Sequence, residues 1–102
     1  RAGPARDRQA LIRPRPVSIT IYTTPTCPYC AAAKALLRNK QADFTEIDVS
    51  APPELREEMM RRSGRRTVPQ IFIGSTHVGG YDDLAALDDA GKLDALLQAV
   101  RD

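Results

Sequence analysis

The chain has 102 residues, 42% of them hydrophobic, enough for one globular domain with a small core. No apolar stretch approaches the ~20 residues that span a bilayer, and two cysteines with one histidine are too few for a disulfide-stapled secreted scaffold. The net charge of +2 divides unevenly: residues 1–16 hold five arginines against Asp7, whereas residues 17–102 hold ten basic and twelve acidic side chains. The basic pI therefore belongs to the leader and does not point to nucleic-acid binding.

Residues 1–16 contain Pro4, Pro14 and Pro16 and lack an apolar h-region, so they are not a secretory signal. They read as a flexible basic leader or a remnant of expression, with the folded domain expected over residues 17–102. Val17-Ser18-Ile19-Thr20-Ile21-Tyr22 alternates branched or aromatic with polar residues and predicts a strand. Thr23-Thr24-Pro25-Thr26 is turn chemistry. Pro28 suits the first helical position, with Cys27 at or beside the cap, because the N–H that proline lacks would have no partner there. Ala31 to Leu37 then has high helix propensity. A second alternating run, Phe44-Thr45-Glu46-Ile47-Asp48-Val49, predicts a second strand.

Ser50-Ala51-Pro52-Pro53 breaks the chain before a helix bearing Leu55, Met59 and Met60, which Ser63-Gly64 stops. Gln70-Ile71-Phe72-Ile73 is a short buried strand, and Gly74-Ser75 turns it into Thr76-His77-Val78. Asp82 and Asp83 open a further helix with Leu84 and Leu87 on its apolar side, ended by Gly91. Leu93, Leu96, Leu97 and Val100 form the stripe of a final amphipathic helix. The order is βαβ-α-ββ-α-α. A βαβ unit makes its two strands parallel and the later hairpin is antiparallel, so an α/β fold with a four-stranded mixed sheet flanked by helices is expected.

Cys27-Pro28-Tyr29-Cys30 lies where the first strand gives way to the first helix. A thiol there meets the unpaired N–H groups of the first helical turn, which favour the thiolate, the form that attacks disulfides. Cys30 follows about one turn later, near enough to close a disulfide and deeper in the fold. Cys27 is therefore the expected nucleophile and Cys30 the resolving thiol. The same spacing also serves as half of a zinc site, but zinc would need two more ligands and only His77 is available outside carboxylates. The strand–helix context points instead to redox chemistry.

Thr67-Val68-Pro69 precedes the third strand. Taken alone, the proline is an ordinary strand leader that need not donate to the ladder. A cis Val68–Pro69 bond would in addition present the Val68 backbone to an extended, thiol-bearing peptide. Gly79-Gly80-Tyr81-Asp82-Asp83 reads first as a glycine turn with an acidic helix cap. It also offers a helix N-terminus to a carboxylate and Asp82 to an ammonium, the two groups of an α-amino acid end.

Together, Cys27-Pro28-Tyr29-Cys30, Thr67-Val68-Pro69-Gln70-Ile71-Phe72-Ile73-Gly74 and His77-Val78-Gly79-Gly80-Tyr81-Asp82-Asp83-Leu84 resemble the dithiol glutaredoxins, most nearly the short bacterial glutaredoxin 3 type. The resemblance covers about residues 17 to 100. It implies the thioredoxin-like fold, glutathione as reductant and co-substrate, and no metal. It further implies that glutathione lies across the site, its cysteine on the Thr67-Val68-Pro69 backbone with Pro69 cis. Its γ-glutamyl end would meet Gly80, Tyr81 and Asp82, its glycine carboxylate Arg65 or Arg66, and Tyr29 would border its cysteine. Thr24 stands where the family commonly has a lysine.

The expected function is glutathione-dependent thiol–disulfide exchange in cell redox homeostasis, acting on glutathionylated or disulfide-containing proteins. Family potentials of about −200 to −230 mV suit the cytosolic glutathione pool. A cytoplasmic monomer, without nucleic-acid or membrane partners, is expected. Two rivals stay open: a redoxin reduced by thioredoxin reductase, and a carrier of an iron–sulfur cluster held by Cys27 of two chains with two glutathiones.

Overall fold

The computed structural model describes residues 19–101; the leader, Val17 and Ser18 of the first expected strand, and Asp102 lie outside the described residues. Strand β1, Ile19–Thr23, keeps the period-two pattern of its sequence, with Ile19 and Ile21 in one core cluster and Tyr22 in the other. Helix α1, Pro28–Asn39, begins with proline at its first turn and Cys27 as N-cap, and it buries Cys30, Ala33 and Leu37. Strand β2 is Thr45–Asp48, shorter than the alternating run of sequence. Its flanks still serve the fold: Phe44 packs on the core, and the Val49 N–H donates to the Thr23 carbonyl at 2.9 Å.

Helix α2, Pro53–Ser63, ends at Gly64, whose φ of 72° is the left-handed cap conformation; its N–H donates to the Met60 carbonyl at 2.8 Å. Glycine takes this conformation without the Cβ clash that penalises other residues. Strands β3, Gln70–Ile73, and β4, Thr76–Gly79, form the hairpin. Helix α3, Tyr81–Asp89, starts just ahead of the Asp82 expected to open it. Gly80 is its N-cap, and the Asp83 carboxylate accepts the Gly80 N–H at 3.0 Å. Helix α4 is Leu93–Arg101.

The sheet order is β2-β1-β3-β4. Strand β1 runs parallel to β2 and antiparallel to β3, with Ile21 opposite Ile71 and Tyr22 opposite Gln70. Strand β4 runs antiparallel to β3, with Ile71 opposite Gly79. This is the mixed four-stranded sheet that the element order predicts. One face carries the larger core: Ile19, Ile21, Ile71 and Ile73 meet Ala33 and Leu37 of α1, Leu84 of α3 and Leu93 and Leu97 of α4. The other face carries Tyr22 and Phe72 against Met59 of α2.

The smaller core is closed by polar groups. The Tyr22 hydroxyl donates to Glu58 at 2.6 Å and accepts from Arg62 at 2.7 Å, and the Arg62 guanidinium lies 4.1 Å from the Phe72 ring centroid. Hydrogen bonding and cation–π attraction thus hold α2 to a face that its own few buried apolar residues cover thinly.

Leu37→Ala empties a fully buried position between α1 and the sheet. Chemical denaturation of this variant is expected to show a loss of about 2–5 kcal/mol, with an unchanged denaturant slope.

Candidate active site

Three segments converge at one end of the sheet. The end of β1 leads through the turn to Cys27, the start of β3 leads back to Thr67-Val68-Pro69, and the end of β4 leads to Gly80 and α3. The Val68–Pro69 peptide bond is cis. A Cβ on Gly80 would stand 3.6 Å from the Pro69 carbonyl oxygen, so the α3 terminus and the proline loop are immediate neighbours.

The two thiols occupy different environments. Cys27 Sγ is half-buried, accepts the Cys30 N–H at 3.1 Å and lies 3.8 Å from the Val68 carbonyl oxygen. This is the N-cap geometry, in which a backbone donor of the first turn points at the cap side chain. Cys30 is 1% exposed. Burial, reinforced by its hydrogen bond to Cys27, pushes the Cys30 thiol up to about 12, so it stays protonated through the physiological range. The arrangement pairs an accessible sulfur with a buried S–H donor.

A cleft of about 320 Å³ opens beside this pair, lined by Tyr29, Arg65, Thr67, Val68, Pro69, Gly80, Tyr81, Asp82 and Asp83. Of the residues expected around a ligand, all but Arg66 line it. Arg66 is exposed, and its carbonyl accepts from Arg56 at 3.1 Å. Tyr29, 62% exposed, has its ring 6.4 Å from that of Tyr81. These rings form an apolar wall between the cysteine motif and α3.

Asp83, expected only at the helix start, also lines the cleft. Its carboxylate accepts from the Gly80 N–H and from Arg65 at 3.2 Å, and these two donors hold it below the usual carboxylate range. Arg65 and Asp83 are both about half exposed, so the pair orders the cleft more than it stabilises the fold, at no more than about 1 kcal/mol. Gly79 makes room for it: at φ 115°, a Cβ there would run into the Asp83 carboxylate.

Comparison with known proteins finds relatives over most of the chain. The Glutaredoxin family model matches residues 19–78. A glutaredoxin of Pseudomonas aeruginosa is 62% identical over 81 residues, covering 79% of this chain and 96% of that protein. Glutaredoxin 3 of Escherichia coli is 56% identical over 81 residues, covering 79% of this chain and 98% of that protein. Among solved structures, the crystal structure of a buckwheat glutaredoxin–glutathione complex matches with a TM-score of 0.76 at 27% identity, covering 81% of this chain and 78% of that one.

The contrast between the thiols has a direct chemical readout. With the reduced chain at pH 8, iodoacetamide is expected to modify Cys27 and to leave Cys30 unmodified, as peptide mass mapping would show. The folded-state value of Cys30 lies above that of a free thiol, so the stability gained by keeping it neutral is complete below the ordinary thiol range. That stability is lost as pH climbs towards about 12.

Proposed function

The chain belongs to the glutaredoxin family, thiol–disulfide oxidoreductases of thioredoxin-like fold, and on that premise we propose that it reduces protein–glutathione mixed disulfides and protein disulfides at the expense of glutathione. The observation that carries this reading is Cys27 lying 3.8 Å from the carbonyl of Val68, a residue that lines a cleft shared with the α3 N-terminus.

The Val68 backbone, next to the cis peptide, suits pairing with the extended backbone of a bound cysteine. The backbone N–H groups of the first turn of α3 suit a carboxylate, and Asp82 suits the adjacent ammonium. A γ-glutamyl group carries both. Arg65, beside that terminus and paired with Asp83, supplies a cation for the glycine carboxylate. The buckwheat relative, whose structure is a complex with glutathione, supports the same ligand here.

In the proposed reaction, Cys27 attacks as the thiolate on the glutathione sulfur of a protein–glutathione mixed disulfide. The S–S bond breaks, its electron pair leaves with the protein sulfur, and that sulfur takes a proton. Cys27 now carries glutathione. A second glutathione thiolate attacks the bound glutathione sulfur, releasing Cys27 thiolate and glutathione disulfide. With a protein disulfide, Cys27 first forms a mixed disulfide with the substrate. Cys30 then loses its proton and displaces the substrate thiol, and two glutathiones reduce the Cys27–Cys30 bond. The first route does not need Cys30. A cytoplasmic site of action fits this glutathione dependence, and among the described residues no helix is long and apolar enough to cross a membrane.

Turnover of a glutathionylated peptide, coupled to glutathione reductase and NADPH, tests the proposal. Cys27→Ser is expected to lower it by about a thousandfold or more. Cys30→Ser should retain it while losing reduction of a dithiol-requiring protein disulfide. Full activity in Cys27→Ser, or none in the unaltered chain with glutathione, would overturn the assignment.

A further inference from the structure

Gln70 is a polar side chain with no exposed surface, at the first position of a strand whose other three residues are apolar. A buried amide with open valences would be costly, so its partners define its role. Its Nε2 donates to the Thr67 carbonyl at 3.0 Å and to Thr67 Oγ1 at 3.1 Å. Its Oε1 lies 2.8 Å from His77 Nε2.

These contacts fix the amide without ambiguity. The Thr67 carbonyl can only accept, so it must face the NH₂ group, which leaves Oε1 towards the histidine. An amide oxygen also only accepts, so His77 carries a proton on Nε2. The imidazole is held in turn by stacking on Phe72, centroids 4.8 Å apart. Burial, and then the Arg65 guanidinium, lower its pKa against the opposing pull of Asp83, which favours the neutral ring.

We infer that Gln70 and His77 are positioning residues for thiol–disulfide exchange: His77 orients the buried Gln70 amide, which spans Val68–Pro69 to hold Thr67 and so sets the Val68 backbone at Cys27. Neither side chain lines the cleft beside the cysteines, and neither touches the reacting sulfurs. They act through the loop, and the inference therefore rests on the proposed pairing of substrate backbone with Val68. Loss of either contact frees the loop to move relative to a cysteine fixed on α1. Substrates that engage the loop should suffer; disulfides with no peptide backbone should not.

The test is single-turnover reaction of the reduced chain with two substrates, a glutathionylated peptide and 2-hydroxyethyl disulfide. Gln70→Met fills the same space without an amide and is expected to slow the peptide reaction about tenfold, leaving the small disulfide within about twofold. His77→Leu, at a partly exposed position that tolerates change, should slow the peptide reaction about threefold. His77→Gln keeps an N–H donor within reach of Gln70 Oε1 and should restore it. Equal losses on both substrates, no loss on either, or failure of His77→Gln to restore the rate would overturn the inference. An unaltered chain that shows no preference for the peptide substrate would instead overturn the reading of Val68 under Proposed function, and this inference with it.

Discussion

Antiparallel pairing of β1 with β3, which sets Tyr22 opposite Gln70, is the constraint on which the site depends. Because the strands run oppositely, the chain leaving β1 and the chain entering β3 lie at the same end of the sheet. The cysteine motif is one turn beyond the first, and the proline loop is directly ahead of the second. The hairpin then places Gly79 opposite Ile71, returning Gly80 and α3 to that end. Residues more than fifty positions apart become neighbours through strand register alone, held by ladder hydrogen bonds and by the isoleucines on the larger core face.

Within that frame, the two cysteines are divided by depth. Helix α1 must bury one stripe to pack on the sheet, and Cys30 falls on it with Ala33 and Leu37. Cys27, at the cap, falls on the rim. The same helical geometry that brings the sulfurs together thus makes one a protonated, shielded thiol and leaves the other half-buried, against the Val68 carbonyl. The helix terminus contributes backbone dipoles that need no reorganisation when charge on sulfur comes and goes. Thr24, three residues before Cys27, adds no charge of its own to this backbone contribution.

Most of the architecture was legible because the signals were local. Pro28 at a helix start, Gly64 at a helix end and the alternation around Ile21 each act within a few residues, and each element formed where those signals lie. Strand ends were less legible: Phe44 and Val49 belong to the core but fall outside the regular ladder of β2. The three cleft motifs were visible as motifs, and eight of the nine residues expected around the ligand meet in one cleft. Arg65 and Arg66 could not be separated by sequence, since their directions follow from a contact with Asp83, eighteen residues on. The role of Gln70 was equally hidden. A lone glutamine opening an apolar strand is a weak clue, and its partner His77 is supplied by the neighbouring strand. The Tyr22–Glu58–Arg62 cluster is likewise a product of α2 crossing the sheet, which no local pattern encodes.

The most direct measurement is a high-resolution structure of the Cys30→Ser chain trapped as its mixed disulfide with glutathione. The expected result is a single glutathione on Cys27, its cysteine backbone paired with Val68 and its γ-glutamyl carboxylate at the Gly80 end of α3. Glutathione joined elsewhere, or joined to Cys27 but pointing away from Val68 and α3, would contradict the view that three distant segments meet here to bind it.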